Sequence, residues 1–229
     1  MIGNLFPNNS FHSFAAALME LRNRIQEKAS ELFMRFGIRS ISMDDIAGSL
    51  GISKKTIYLS FSDKDELVDA MIEQHILQAE KEVDSYRVSA SNAVEEIFMT
   101  MQQIEKNLRN LNPIVLHDLQ KFHGKAYQRI VDHKELFLLN VIKENIKRGM
   151  KEGFYREDLQ VEILSRYRME SMMVLFDLKL FPPADFNLAD VSQVTLEHFL
   201  YGLATLKGHD QIARYKQNLS HNKSNSSSS

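Results

Sequence analysis

The residues best suited to chemistry lie in SMDDIAGSLGISKKTIYLSF, Ser42–Phe61. Lys54, Lys55, Thr56 and Tyr58 share the exposed side of one short amphipathic segment, while Ile57 and Phe61 fall on its apolar side. The lysines suit phosphates, the threonine a base edge or thymine methyl, and the tyrosine a phosphate hydrogen bond. Chemistry of this kind needs a scaffold, and the same stretch supplies one. Ser42 and Asp45 have capping-box spacing for a first short helix. Ala47 is small where a second helix would cross, and Gly51 sits where a tight turn needs a left-handed backbone. Ser53 can cap the next helix, and it joins the expected DNA-binding set. Ile46, Leu50, Ile52 and Ile57 supply a shared core. The plainer alternative is a helical hairpin with a solvated Lys-Lys face; agreement of cap, small residue, glycine and apolar spacing favours the helix-turn-helix.

Catalytic chemistry finds less support. The chain has eight His but no Glu-x-x-His pair and no Cys, so the local signatures of di-iron bundles, zincins and thiolate zinc sites are missing. No phosphate-binding glycine loop or Gly-x-Ser-x-Gly elbow occurs. His117-Asp118 with His123, and Asp132-His133, are the remaining metal-ligand candidates, and such pairs on helices are usually surface or packed polar groups. We expect no enzyme, metal or cofactor. An all-helical enzyme is the alternative from another class, and stoichiometric bound metal would favour it.

Around the motif the apolar residues recur at helical spacing, with few Gly or Pro, which implies an all-α fold. Leu21, Ile25, Ala29, Leu32, Phe33 and Phe36 form a stripe stopped by Gly37. Ser62 and Asp65 suggest a capping box opening the Asp63–Glu82 helix. Residues 1–18 read as a loose tail, 19–79 as a DNA-binding domain with its helix-turn-helix at 42–61, 80–216 as a helical ligand-binding and dimerisation domain, and 217–229 as a disordered Asn/Ser-rich tail. Helices are expected over Ala93–Leu108, Ile114–Phe122, Lys125–Lys151, Val161–Leu180 and Leu188–Leu206. In GMKEGFYREDL, Gly149–Leu159, left-handed glycines are expected to end a helix. FLYGLAT, Phe199–Thr205, reads as a packing face, a candidate for a dimer interface.

Bulk charge does not identify a partner. The net charge is −2, and Glu20–Asp65 holds eight Lys/Arg against seven Asp/Glu. A DNA-binding face must depend on where a few cations sit. No apolar run approaches the roughly 20 residues of a membrane helix, and the N-terminus lacks signal-peptide features, so the expected location is the cytoplasm, with no membrane. Translation from Met19 is an alternative to Met1, because residues 1–18 carry no helical period and no Lys or Arg.

With these residues on the page, Leu21–Glu73 resembles the DNA-binding domain of the TetR family of regulators. The resemblance rests on ELFMRFGIRSISMDDIA, SLGISKKTIYLSF and SDKDEL. It implies that Ser42 and Met43 approach the DNA backbone, that Lys54, Lys55, Thr56 and Tyr58 face the groove, and that Lys64 meets a phosphate. Many relatives carry an aromatic or His before the Phe, whereas this chain has Leu59-Ser60, so position 60 is not counted as a contact. The family also implies a homodimer on an inverted-repeat operator in double-stranded DNA, a repressor released by a ligand, and the Asp63–Glu82 helix as the link between domains. A DNA-binding protein governed by a protein partner is a further alternative. The ligand wall is expected from Met101, Ile104, Phe137, Met169, Met172, Met173 and Phe176, soft apolar residues with few cations among them, which points to a small apolar effector.

Overall fold

The computed structural model describes residues 8–109 and 111–226, with side chains described for 16–109 and 111–218. Over that span the chain is all-α. Its elements are α1 (Asn8–Phe36), α2 (Met43–Leu50), α3 (Lys54–Ser60), α4 (Lys64–Ser89), α5 (Ala93–Leu108), α6 (Ile114–Phe122), α7 (Gly124–His133), a π turn (Lys134–Leu138), α8 (Leu139–Lys151), α9 (Val161–Val174), α10 (Leu188–Leu203) and α11 (Leu206–Ser226). Among the described residues the one β-type pairing is an isolated antiparallel bridge between Tyr155 and Ala204. No helix in this span is long and apolar enough to cross a membrane.

The chain divides into two units, and the division is not sequential. One comprises the described residues up to His75 together with Ile114–Arg129; the other comprises Ile76–Pro113 and the chain from Ile130 onward. The expected 80–216 domain therefore loses α6 and most of α7 to the N-terminal unit. Asp118, buried on α6, supplies a physical reason: its Oδ2 accepts the Arg39 amide at 3.0 Å in the α1–α2 turn. Arg129 and Lys125 of α7 likewise bond the buried Asp69 of α4, at 2.6 and 2.8 Å.

In the first unit, Ile25, Ala29, Phe33, Ile46, Ile57, Phe61 and Leu67 are buried, so α1 to α4 share one core. Arg22 fastens its outer edge. The guanidinium lies 3.9 Å from the Phe61 ring centre, donates to the Ser60 carbonyl, and pairs with Glu66 at 2.9 Å. The second unit is centred on Val94, Phe98, Met101, Ile146, Tyr155, Leu196, Leu200 and Ile212.

Several local expectations change. α1 begins at Asn8, so residues 8–18 are helical where a loose tail is expected; residues 1–7 lie outside the described span. The C-terminal tail is helical through Ser226, because α11 buries Ile212 and stacks Tyr215 on Phe98 at 5.3 Å. α9 stops at Val174 rather than Leu180, and α10 at Leu203. The Lys125–Lys151 helix is interrupted by the π turn. The cap of α4 is Asp63, whose Oδ1 accepts the Glu66 amide at 2.8 Å, while the Ser62 amide donates to the Glu66 carboxylate at 2.7 Å. The expected capping box is thus displaced by one residue. Of the two glycines in Gly149–Leu159, only Gly153 is left-handed, at φ 73°. Gly149 is helical, and a Cβ there would come within 2.0 Å of the Tyr155 ring.

Candidate nucleic-acid interface and ligand cavity

The first unit builds a two-helix projection from local chemistry. Ser42 caps α2: its hydroxyl accepts the Asp45 amide at 3.1 Å, and its own amide donates to the Asp45 carboxylate at 2.8 Å. The Ser42 hydroxyl in turn donates to that carboxylate at 2.6 Å, and with the Ser42 amide it holds the Asp45 carboxyl below the usual carboxylate range. Gly51 then reverses the chain at φ 66°, with its amide bonded to Gly48 at 3.2 Å and the Ile52 amide bonded to Ala47 at 3.0 Å. This pair is a Schellman closure, which satisfies the orphan carbonyls of α2. Ser53 caps α3 through the Thr56 amide at 3.1 Å.

On α3, Ile57 is buried and Lys54, Lys55 and Tyr58 are exposed, with Thr56 half-buried. The four residues expected to face DNA therefore share one helix and lie away from the core. Lys54 already has a partner: its ammonium pairs with Asp44 at 2.9 Å, which raises the lysine above its ordinary pKa. Leu59, an apolar group beside Tyr58, is 76 % exposed.

Three other expected contacts differ in character. Ser42 is exposed. Met43 is buried, so its side chain is turned into the core rather than toward the surface beside Ser42. Lys64 is half-buried and donates to the carbonyls of Ile38 and Ile41 at 2.6 and 2.5 Å. Its burial lowers the ammonium's pKa. Two of its three N–H groups thus brace the α1–α2 turn.

In the second unit a cavity of about 260 Å³ opens between α4, α5, α8, α9 and α10. That is near the lower end of the roughly 300–1,000 Å³ usual for small-molecule sites. Ile97, Ile104, Val141, Ile142, Met172 and Leu200 make much of its wall. The π turn contributes Leu138, and such wide turns recur at functional sites. Polar groups also reach the lining. Asn145 donates to the Ala93 carbonyl at 3.0 Å, Glu96 pairs with Arg148 at 2.9 Å, and His133 contacts Glu80 at 3.0 Å.

Of the seven expected wall residues, Ile104 and Met172 line this cavity. Met101 belongs to the second unit's buried core, and Met169 is also buried. Phe137 stacks on His133 at 5.3 Å, and Phe176 packs in a separate cluster with Leu175 and Leu188. Met173 is half-buried outside the lining. The lining instead includes Arg168, buried on α9, which a search for soft apolar residues passes over.

The metal-ligand candidates are separated by pairing. Asp118 serves Arg39, His123 bonds Asp65 at 2.6 Å, and His133 bonds Glu80. Among the described residues no group of three His, Asp or Glu could hold a metal ion.

Residues 25–71 match the family described as bacterial regulatory proteins, tetR family. The chain is 35 % identical over 89 residues to the uncharacterized HTH-type transcriptional regulator YvaF of Bacillus subtilis, an alignment covering 38 % of this chain and 47 % of that protein. It thus spans about half the length of that relative. The fold resembles the structure of the ketosteroid transcriptional regulator KstR2 of Mycobacterium tuberculosis, with TM-score 0.58 and 20 % identity over 80 % of this chain and 95 % of that one. It also resembles a transcriptional regulator from Saccharomonospora viridis in complex with choline, with TM-score 0.64 and 18 % identity over 82 % and 99 % of the two chains.

Proposed function

We propose that this chain, whose residues 25–71 match the tetR family of bacterial regulatory proteins, is a ligand-responsive transcription repressor of that family that binds an inverted-repeat operator as a homodimer. The observation that carries the reading is α3: a short, capped helix behind a left-handed glycine turn, with Lys54, Lys55, Thr56 and Tyr58 turned away from the core. Such a helix enters the major groove. Lys55 and Tyr58 meet phosphates, Thr56 reads a base edge, and exposed Leu59 is placed to meet a thymine methyl. The capped start of α2, at Ser42 and the Met43 amide, grips the backbone, and Lys64 uses its remaining N–H in the same way.

One seven-residue helix reads only a few base pairs, so two copies must act together at a spacing of about one helical turn or more. The dimer contact we assign to α9 and α10. Ile163, Tyr167 and Val174 are exposed at helical spacing along α9, and Val194 is 67 % exposed on α10. An apolar stripe of this kind is normally covered by a partner.

The cavity of the second unit is the effector site, and a small, mostly apolar molecule is its occupant. An effector that weakens operator binding a hundredfold needs about 2.7 kcal/mol of coupling, and DNA must weaken the effector by the same factor.

Mapping protein-bound fragments of the source genome, followed by sedimentation with and without the recovered site, tests the reading. The expected result is a palindromic site bound by a species of about twice 26.5 kDa. A monomer that binds such a site as a single copy would refute it.

A further inference from the structure

The cavity wall carries one charge that the protein leaves uncompensated. Arg168 is 6 % exposed, yet among the described residues its guanidinium has neither a carboxylate partner nor a hydrogen-bond acceptor. Its guanidinium lies over the Phe199 ring, whose centre is 5.7 Å away. No sealed side-chain polar atom in the described residues goes without a partner, so the guanidinium nitrogens keep some open surface, and Arg168 is one of the residues that line the cavity. Burial pulls the group down to about 10, which still leaves it cationic at neutral pH.

The other charges on the lining are accounted for. Glu96 belongs to Arg148, and His133 to Glu80. Glu82 is half-exposed and accepts from Gln78 at 2.8 Å. A buried guanidinium without an acceptor is costly unless something arrives to pair with it. Its planar fork matches a carboxylate, and the facing Phe199 ring limits its orientation.

We propose that the cavity takes an amphipathic organic anion, with its carboxylate seated on Arg168 and its apolar body along the aliphatic walls. This rests on reading the cavity as the effector site, and it revises the expectation that few cations face the ligand. The preferred charge is opposite to that of choline.

Calorimetric titration of the full chain with decanoate, decan-1-ol and decyltrimethylammonium separates the possibilities. Wild type should bind decanoate about tenfold or more tighter than the alcohol, the usual scale for a hydrogen bond to a charged group, and the cation weakest. Arg168→Met, similar in length and uncharged, should lose that tenfold preference and hold the alcohol within about threefold of wild type. It should melt no lower than wild type, because it removes an unpaired buried charge rather than a supporting contact. Arg168→Lys should retain part of the preference. Ile104→Trp, which fills the cavity, should weaken both decanoate and decanol.

If Ile104→Trp blocks both probes while Arg168→Met leaves the decanoate preference intact, the anion assignment fails and the cavity reading survives. If wild type binds neither probe, or Ile104→Trp, still folded, binds both as before, the cavity reading itself fails. An Arg168→Met variant that melts far below wild type would make Arg168 a structural residue and overturn the proposal.

Discussion

Gly48 and Gly51, three residues apart in the helix-turn-helix, permit a controlled test of what the turn requires. A Cβ built at either position meets nothing within 4 Å, so steric crowding by neighbours is absent in both cases. The difference is backbone conformation: Gly48 lies inside α2, whereas Gly51 closes it at φ 66° and ψ 28°. Alanine in a helix interior is favoured over glycine by about 0.8–1.0 kcal/mol. At Gly51 the left-handed conformation costs an L residue about 1–2 kcal/mol, partly offset by roughly 0.4–1 kcal/mol of entropy removed from the unfolded chain. Gly48→Ala should therefore stabilise by about 1 kcal/mol and Gly51→Ala destabilise by about the same amount. For a chain of 229 residues that is a melting shift of roughly 2–4 °C in opposite directions. Thermal unfolding followed by circular dichroism at one fixed protein concentration measures both, since oligomerisation makes the midpoint concentration-dependent. If the two variants moved in the same direction, the turn would not depend on a left-handed glycine, and the geometry assigned to α3 would lose its basis.

Other expectations follow from the ion pairs. Lys55→Ala should flatten the log–log salt dependence of operator binding by about 2, because a dimer loses two phosphate contacts; an unchanged slope would remove Lys55 from the interface. Asp44→Asn should tighten operator binding several-fold in an anisotropy titration, because it frees Lys54 from its partner; weaker binding would argue that the pair positions the lysine. Arg148→Met should cost about 3 kcal/mol in urea unfolding, because Arg148 bonds Glu96, Glu152 and two backbone carbonyls, and its loss strands the buried Glu96. The bonds from Arg129 and Lys125 hold the Asp69 carboxyl below its ordinary pKa. A depressed carboxylate contributes stability that is present above its unfolded pKa of about 3.9 and is lost as pH falls through the folded value. Asp69→Asn should therefore lower stability at neutral pH and make the acid limb of the stability profile shallower below about pH 4, as pH-dependent unfolding would measure.

The helix-turn-helix was legible because its determinants are local. Ser42, Asp45, Gly51 and Ser53 act through bonds to backbone within five residues, so spacing alone exposes them. The cap of α5 is local in the same way, since the Asn92 side chain accepts the Glu95 amide three residues on. Where two local solutions competed, sequence chose the neighbour: Asp63 rather than Ser62 caps α4. Helix α11 escaped a reading of composition, because Asn and Ser are poor helix formers and the helix is held by Ile212 and by Tyr215 against Phe98. The bracing role of Lys64 was not legible, because only the folded chain brings the carbonyls of Ile38 and Ile41 to its ammonium. The assignment of α6 to the first unit turns on Asp118 meeting an amide 79 residues earlier. The cavity is of the same kind. Its walls come from several helices far apart in sequence, and whether a methionine faces the void or the core depends on how those helices rotate against one another, which periodicity does not specify. Arg168 reads in sequence as one more surface cation between Tyr167 and Met169. The binding role proposed for it arises because the fold buries it with no acid in reach among the described residues, which is a property of three-dimensional neighbours.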